Sequence, residues 1–143
     1  MENKTHICAA WPGTGKTYIC EKGDNAIEIE YWKYKDEGLK EEYIKDVEDN
    51  FGKVDYIFIS TDPEGLKILH NRGFNIILVY PENKLREEYL DRFIERDSPC
   101  DFIGAFMKYW NMWLNELKKQ EYCKHIVLES GQYLQDVINR LRA

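Results

Sequence analysis

The residues whose types and order could do chemistry lie near the start of the chain, in Ala10-Trp11-Pro12-Gly13-Thr14-Gly15-Lys16-Thr17. Apart from alanine in place of the first glycine, they follow the GxxxxGK[ST] spacing of a loop that wraps phosphate. Glycine at 13 and 15 lets the backbone turn tightly and aim N–H groups at phosphate oxygens, with Pro12 and Thr14 completing the cradle. Lys16 supplies a flexible positive charge for β- and γ-phosphates, and the Thr17 hydroxyl is a magnesium ligand. Alanine at position 10 asks only that the backbone there tolerate a Cβ. ATP with Mg2+ is the expected occupant. An apolar run before the loop and a helical pattern after it supply the strand–loop–helix context that this chemistry needs.

Acids and bases elsewhere could complete a site. Glu28 and Glu30 stand two apart in Ala26–Glu30, so on a strand their side chains share one face. One could hold magnesium through water while the other accepts a proton from an acceptor hydroxyl or positions that acceptor. The plain alternative is a solvated face of an edge strand. Asp62 could reach the metal beside Thr17, or could cap the proline-led helix that it precedes. Arg92 and Arg96 are one helical turn apart and can face one phosphate, unless Glu88 and Glu95 engage them in surface ion pairs. Arg86, with Glu30, Trp32 and Tyr34, is a candidate for substrate binding, the two aromatic rings by stacking on a base or ring. Trp110 and Trp113 fall at helical spacing and read as core. Trp11 either contacts a base or packs the loop.

These residues need a scaffold. Short apolar segments at 5–10, 26–30, 54–59, 75–80 and 126–128 read as five strands. Helical patterns separate them: a short one after the loop, Glu37–Phe51, one from Pro63 to about Asn71, and a charged one from Pro81 and Glu82 to about Asp97. A longer aromatic helix follows Ser98-Pro99, and a final helix spans Gln132–Leu141. Strands alternating with helices predict an α/β domain with a parallel sheet covered on both faces. In such sheets ligands bind beyond the carboxyl ends of the strands.

Composition bounds the rest. The chain has 143 residues, 43% hydrophobic and 14% aromatic, enough for one domain with a proper core. A net charge of −6 offers no overall field for nucleic acid. Neither a signal-peptide pattern nor an apolar run of membrane-spanning length is present, so no membrane partner and a cytoplasmic setting are expected. Cys8, Cys20, Cys100 and Cys123 form no CxxC pair and do not combine with His6, His70 or His125 at zinc-site spacings, which predicts reduced thiols.

With those parts in place, the sequence resembles the P-loop nucleoside and nucleotide kinases, the group that includes adenylate and shikimate kinases. It is most similar to the small single-domain nucleotide-kinase-like proteins of bacteriophage genomes. The resemblance rests on AAWPGTGKT, AIEIEYW, DYIFISTD and VYPENKLREEYLDRFIERD, and with the HIVLESGQYLQDVI end it spans nearly the whole chain. It implies a P-loop NTPase fold with strand order 2-3-1-4-5 and a short lid helix near 82–97, and a virus-encoded protein working in a bacterial host. It further implies that Lys16 and Thr17 serve ATP and magnesium, that Glu28 or Glu30 serves the acceptor, and that Arg92 and Arg96 clamp phosphates. The expected activity is phosphoryl transfer to a nucleoside or (deoxy)nucleoside monophosphate. Transfer to another hydroxyl, on a modified base or sugar, and a non-catalytic nucleotide-binding module are the alternatives. Three departures leave the acceptor open. Glutamate, tyrosine and tryptophan stand where many relatives have aspartate and serine, the segment between strands two and three is short, and no DGxPR-type motif follows strand three.

Overall fold

Runs of buried apolar residues become the strands of one parallel sheet. The computed structural model describes residues 4–142 except 24 and 36. Its strands are β1 (His6–Ala10), β2 (Ala26–Glu28), β3 (Tyr56–Ile59), β4 (Ile76–Pro81) and β5 (Lys124–Leu128), in the order β2-β3-β1-β4-β5. Every neighbouring pair is parallel, with Ala9 opposite Ile59 and Ala10 opposite Val79 at the carboxyl end of the central strand. Parallel strands need crossovers, and here these are α1 (Lys16–Glu21), α2 (Trp32–Lys35), α3 (Lys40–Asn50), α4 (Pro63–Asn71), α5 (Arg86–Glu95), α6 (Cys100–Lys108) and α7 (Trp110–Lys118).

The two-residue period of the strands divides the core into two layers. Ile7, Ala9, Ile57, Ile59, Leu78 and Tyr80 face α3, α4, α5 and α7, whose buried contributions include Val47, Leu66, Phe93 and Leu114. Cys8, Ala10, Phe58, Val79 and Ile126 face the other way, against Ile19 of α1 and Leu134, Val137 and Leu141 of a closing 3-10 segment, Leu134–Arg142. Helices therefore cover both faces. No helix among the described residues is long and apolar enough to cross a membrane.

Three elements differ from the sequence expectation. The aromatic helix after Pro99 is broken at Tyr109 into α6 and α7. The last helix is wound as 3-10 rather than α. The turn Trp32–Lys35 of α2 follows the acidic pair directly, where no helix was expected. The charged segment near 82–97 begins with a 3-10 turn, Asn83–Leu85, and continues as α5, which is docked on the core through the fully buried Tyr89 and Phe93.

Because all five strands run the same way, their carboxyl ends share one edge of the sheet. The connections Trp11–Gly15, Ile29–Tyr31 and Ser60–Asp62 emerge there side by side. Beneath them Trp110 is nearly fully buried, donates its indole N–H to the Asn83 carbonyl at 2.8 Å, and meets Trp11 edge-on at 5.4 Å. Trp110→Ala is expected to lower the unfolding free energy by about 3–5 kcal/mol in urea titration, as truncation of a buried tryptophan does. A loss below about 1 kcal/mol would remove Trp110 from the core that supports the loop.

Candidate functional site

The loop between β1 and α1 is held in one shape by its own backbone and by three neighbours. Ala10 is the fully buried last residue of β1, an extended position where a Cβ is accommodated in the sheet. Trp11 then donates its N–H to Val79 O at 2.9 Å, so the chain leaves the sheet still tied to β4. Gly13 and Gly15 have φ of 81° and 99°, which side-chain-bearing residues avoid. A Cβ at Gly13 would also sit 3.0 Å from Phe93 Cε1. The Thr14 hydroxyl is buried and donates to Trp11 O at 2.7 Å, while Thr14 O accepts from Leu134 N at 2.8 Å. No side chain caps α1, which leaves its first N–H groups without a capping oxygen.

Trp11 is committed to packing. Its ring lies edge-on to Phe106 and Trp110 at 5.2 and 5.4 Å.

The acidic pair meets the loop's two chemical residues one to one. Lys16 Nζ lies 3.1 Å from Glu30 Oε1, in a pair whose side chains are only 13% and 10% exposed. Thr17 Oγ1 donates to Glu28 Oε1 at 2.8 Å. The register explains this. Ile29 donates its N–H to Phe58 O at 2.9 Å, so β-type pairing continues one step past β2. Glu28 and Glu30 thus keep the alternate spacing that sends both toward α1.

Asp62 is engaged elsewhere. Its Oδ1 accepts from Glu64 N at 2.9 Å as the N-cap of α4, and its Oδ2 pairs with Lys35 at 3.4 Å. The carboxylate against Thr17 is Glu28, not Asp62, because the proline-led helix starts at once and draws Asp62 to its free N–H groups.

The three arginines have three different environments. Arg92 is buried. Its Nη1 donates to Gly13 O at 3.0 Å, and its Nη2 donates to Glu88 Oε2 and Gln132 O, both at 2.9 Å. The rings of Tyr89 and Tyr133 lie 4.3 and 3.9 Å from its guanidinium carbon. Arg92 therefore clamps the loop from behind. Glu88, the other half of the clamp, also accepts from Ser130 Oγ at 2.6 Å and Gly131 N at 3.0 Å. Burial opposes its ionisation, but these hydrogen bonds and Arg92 outweigh that and hold the carboxyl below its ordinary 4.5.

Arg96 Nε donates to Ser98 Oγ at 2.9 Å, and its guanidinium lies near the Phe93 and Phe102 rings. Desolvation lowers its pKa, opposed by the fields of Glu28 and Glu30. Arg86 faces away from the loop, donating to Met107 O at 3.1 and 3.0 Å and pairing with Glu87. It does not join the site, and neither does Tyr34, whose hydroxyl donates to Asp46 Oδ2 at 2.5 Å while its ring packs on Tyr43. Burial and Asp46 push the Tyr34 phenol up to about 12.

What remains converges on one open cavity of about 1320 Å³. The loop, Glu28, Glu30, Trp32, Asp62, Arg92 and Arg96 all line it. Phe102, Phe106, Trp113 and Leu117 of α6 and α7 line it too, with Tyr133 beside Gly15. Sequence reasoning missed Tyr133 and this aromatic wall. The i,i+4 spacing of Glu88 and Arg92 pointed to their ion pair, which forms but with the arginine buried instead of on the surface, whereas nothing local linked Tyr133 to a loop more than a hundred residues earlier.

Among the described residues, no group of three or more His, Cys, Asp or Glu side chains converges as a metal cage. Magnesium accompanying a nucleotide needs fewer, because phosphates and water complete its shell. The Thr17 hydroxyl beside the Glu28 carboxylate is an all-oxygen donor set suited to it. No protein-family model matches the chain, and no match is found among curated proteins.

Two measurements check the clamp. Arg92→Ala should destabilise by about 1–3 kcal/mol, since Gly13 O and Gln132 O lose a charged donor. Glu88 has a lowered folded-state pKa, so the stability it contributes is full above its unfolded value and is lost as pH falls through the folded one. The stability gap between the parent and Glu88→Gln, measured by urea unfolding over a range of acid pH, should therefore shrink as pH falls below the ordinary carboxyl value of 4.5. A gap that stays constant over that range would mean that Glu88 is not held ionised by its partners.

Proposed function

We propose that this chain is a P-loop kinase, which binds ATP at Ala10–Thr17 and transfers the γ-phosphoryl group to a small-molecule acceptor, a nucleoside or nucleoside monophosphate. One observation carries the reading. The pre-shaped glycine loop opens at the carboxyl end of the central strand of a 2-3-1-4-5 parallel sheet, and its Lys16 and Thr17 each meet an acid of the β2 end. Parallel sheets bind ligands at that edge. The strand order and the loop's position between β1 and α1 support the P-loop NTPase assignment.

The chemistry follows from the contacts. The β- and γ-phosphates compete with Glu30 for Lys16, and the lysine changes partner when the nucleotide binds. Glu30 is then released beside the γ-phosphoryl group, where a base must stand to take the acceptor's hydroxyl proton. The acceptor oxygen forms the new bond to phosphorus as the bond to the β–γ bridging oxygen breaks, and ADP leaves. An acceptor phosphate would enter already ionised and would need no base. Arg96, whose terminal nitrogens have no hydrogen-bond partner among the described residues, is available to the transferring charge. Magnesium, when bound, neutralises charge on the β- and γ-phosphates, with Thr17 as its protein ligand and Glu28 on its water.

A non-catalytic nucleotide-binding module is the second reading, and the engagement of Asp62 by α4 and Lys35 favours it, since no other acid ends β3.

A coupled ADP-release assay against nucleosides and their monophosphates separates the two readings. Acceptor-stimulated turnover should appear, and should vanish with EDTA. Lys16→Ala should reduce it by about 100-fold or more with the fold intact by circular dichroism. Undiminished turnover in that variant would refute the loop assignment. Acceptor-independent hydrolysis, or none, with ATP still bound would leave only the binding module. For a hydroxyl acceptor, Glu30→Gln should lower kcat by about 10²–10⁴-fold without weakening ATP binding, which separates a base from a mere lysine partner.

A further inference from the structure

The cavity is larger than one ligand needs. Single-ligand pockets span roughly 300–1,000 Å³, against about 1320 Å³ here. Its lining also combines two chemistries. One part is the loop, Lys16 and Thr17. The other is a wall of Phe102 and Phe106 on α6 and Trp113, Glu116 and Leu117 on α7, each group repeating at three- or four-residue spacing and so sharing a helix face. The aromatic rings are half-buried and in mutual contact, Phe102 with Phe106 at 4.5 Å and Phe106 with Trp113 at 4.9 Å. The wall begins at the loop itself, because Phe106 also touches Trp11.

The charges of the cavity tell what that wall can accept. Five cationic and five acidic side chains line it among the described residues, a formal balance before any ligand enters. Most of the cations already have partners. Arg92 is committed to Glu88 and two carbonyls, and Lys35 to Asp62 and Glu64. Lys16 belongs to the nucleotide, and Arg96, whose guanidinium lies 5.5 Å from the Phe102 ring, is the cation assigned above to the transferring phosphoryl group and is not counted again for an acceptor phosphate. Lys33 alone is left, lying over the Trp32 ring at 5.4 Å. By contrast Glu95 and Glu116, which also line the cavity, have no ion-pair partner among the described residues. An ATP–magnesium complex adds further negative charge, so a second phosphate at that wall would meet repulsion with almost no cation to offset it.

We infer that the α6–α7 wall is the acceptor subsite and that it takes an uncharged, ring-bearing alcohol, the size of a nucleoside, in preference to a phosphorylated one. This rests on the kinase reading above and narrows it. Stacking on Phe106 and Trp113 supplies the recognition, and the hydroxyl is delivered to the γ-phosphoryl group beside Glu30.

The test compares kcat/KM for a panel of nucleosides with their 5′-monophosphates in the ADP-release assay, using the full chain. The best nucleoside should exceed the best monophosphate by about tenfold or more, the effect of one unfavourable charge contact. A monophosphate that is equal or better overturns the inference and leaves the kinase reading standing. No stimulation by either class, with ATP still bound, defeats the kinase reading itself. Glu116→Lys, at an exposed position, should shift the ratio toward monophosphates by about fivefold or more, with KM for ATP unchanged. An unmoved ratio would separate the wall from the acceptor. Trp113→Leu should raise the nucleoside KM by about tenfold. If it lowers thermal stability without changing that KM, the ring is core only and the subsite assignment fails.

Discussion

The guanidinium of Arg92 is the contact on which the geometry of the loop depends. It joins three segments distant in sequence: the glycine loop through Gly13 O, α5 through Glu88, and the connection after β5 through Gln132 O. A buried cation is costly to desolvate, and the structure meets that cost with one carboxylate, two carbonyls and two flanking rings. The planar fork of arginine can serve three acceptors in fixed directions, which a lysine cannot. Phe93, one residue on, fills the space that a Cβ at Gly13 would need. The loop is therefore shaped by packing on one side and by a cation on the other. Preorganisation of this kind is what makes backbone N–H groups effective toward an anion.

The front of the loop is governed by the opposite sign. Lys16 and Thr17 are in contact with Glu30 and Glu28, so the unliganded site is internally neutralised instead of presenting an open positive charge. That arrangement keeps a half-buried lysine from standing unpaired, a state that low local dielectric penalises. Under the proposed kinase function it would also couple two events, since a phosphate that takes Lys16 would free Glu30.

Much of this was legible in the sequence, for reasons that differ by element. The sheet was readable because parallel strands are buried on both faces and appear as continuous apolar runs, as in 75–80. The loop was readable because only glycine adopts the φ values at 13 and 15 without strain, and because lysine and threonine follow at fixed offsets. Glu28 and Glu30 were readable as a pair from strand period alone, and the helix cap at Asp62 from the proline after it. The environments of the arginines were not. Helical spacing puts Arg92 and Arg96 one turn apart, but burial depends on what covers each face. Tyr133 and Gln132, which cover Arg92, come from the far end of the chain. Arg86 and Tyr34 were drawn away by Met107 O and Asp46, partners that no local pattern reveals.

The break at Tyr109 has the same character and the largest consequence. A helix continuous from 100 to 118 would carry its aromatic residues around one cylinder on a single 3.6-residue period. With α6 ending at Lys108 and α7 starting at Trp110, the two segments fill two duties. Trp110 and Leu114 go to the core beneath the loop, while Phe102, Phe106 and Trp113 stay half-open along the cavity. Core aromatics then hold the loop rigid, and cavity aromatics give the facing surface its apolar character. The two sets are in contact through Trp11, whose ring touches both Trp110 and Phe106. A residue inside the phosphate-binding pattern thereby becomes the joint between the scaffold and the wall, which is why its ring is unavailable for stacking on a base.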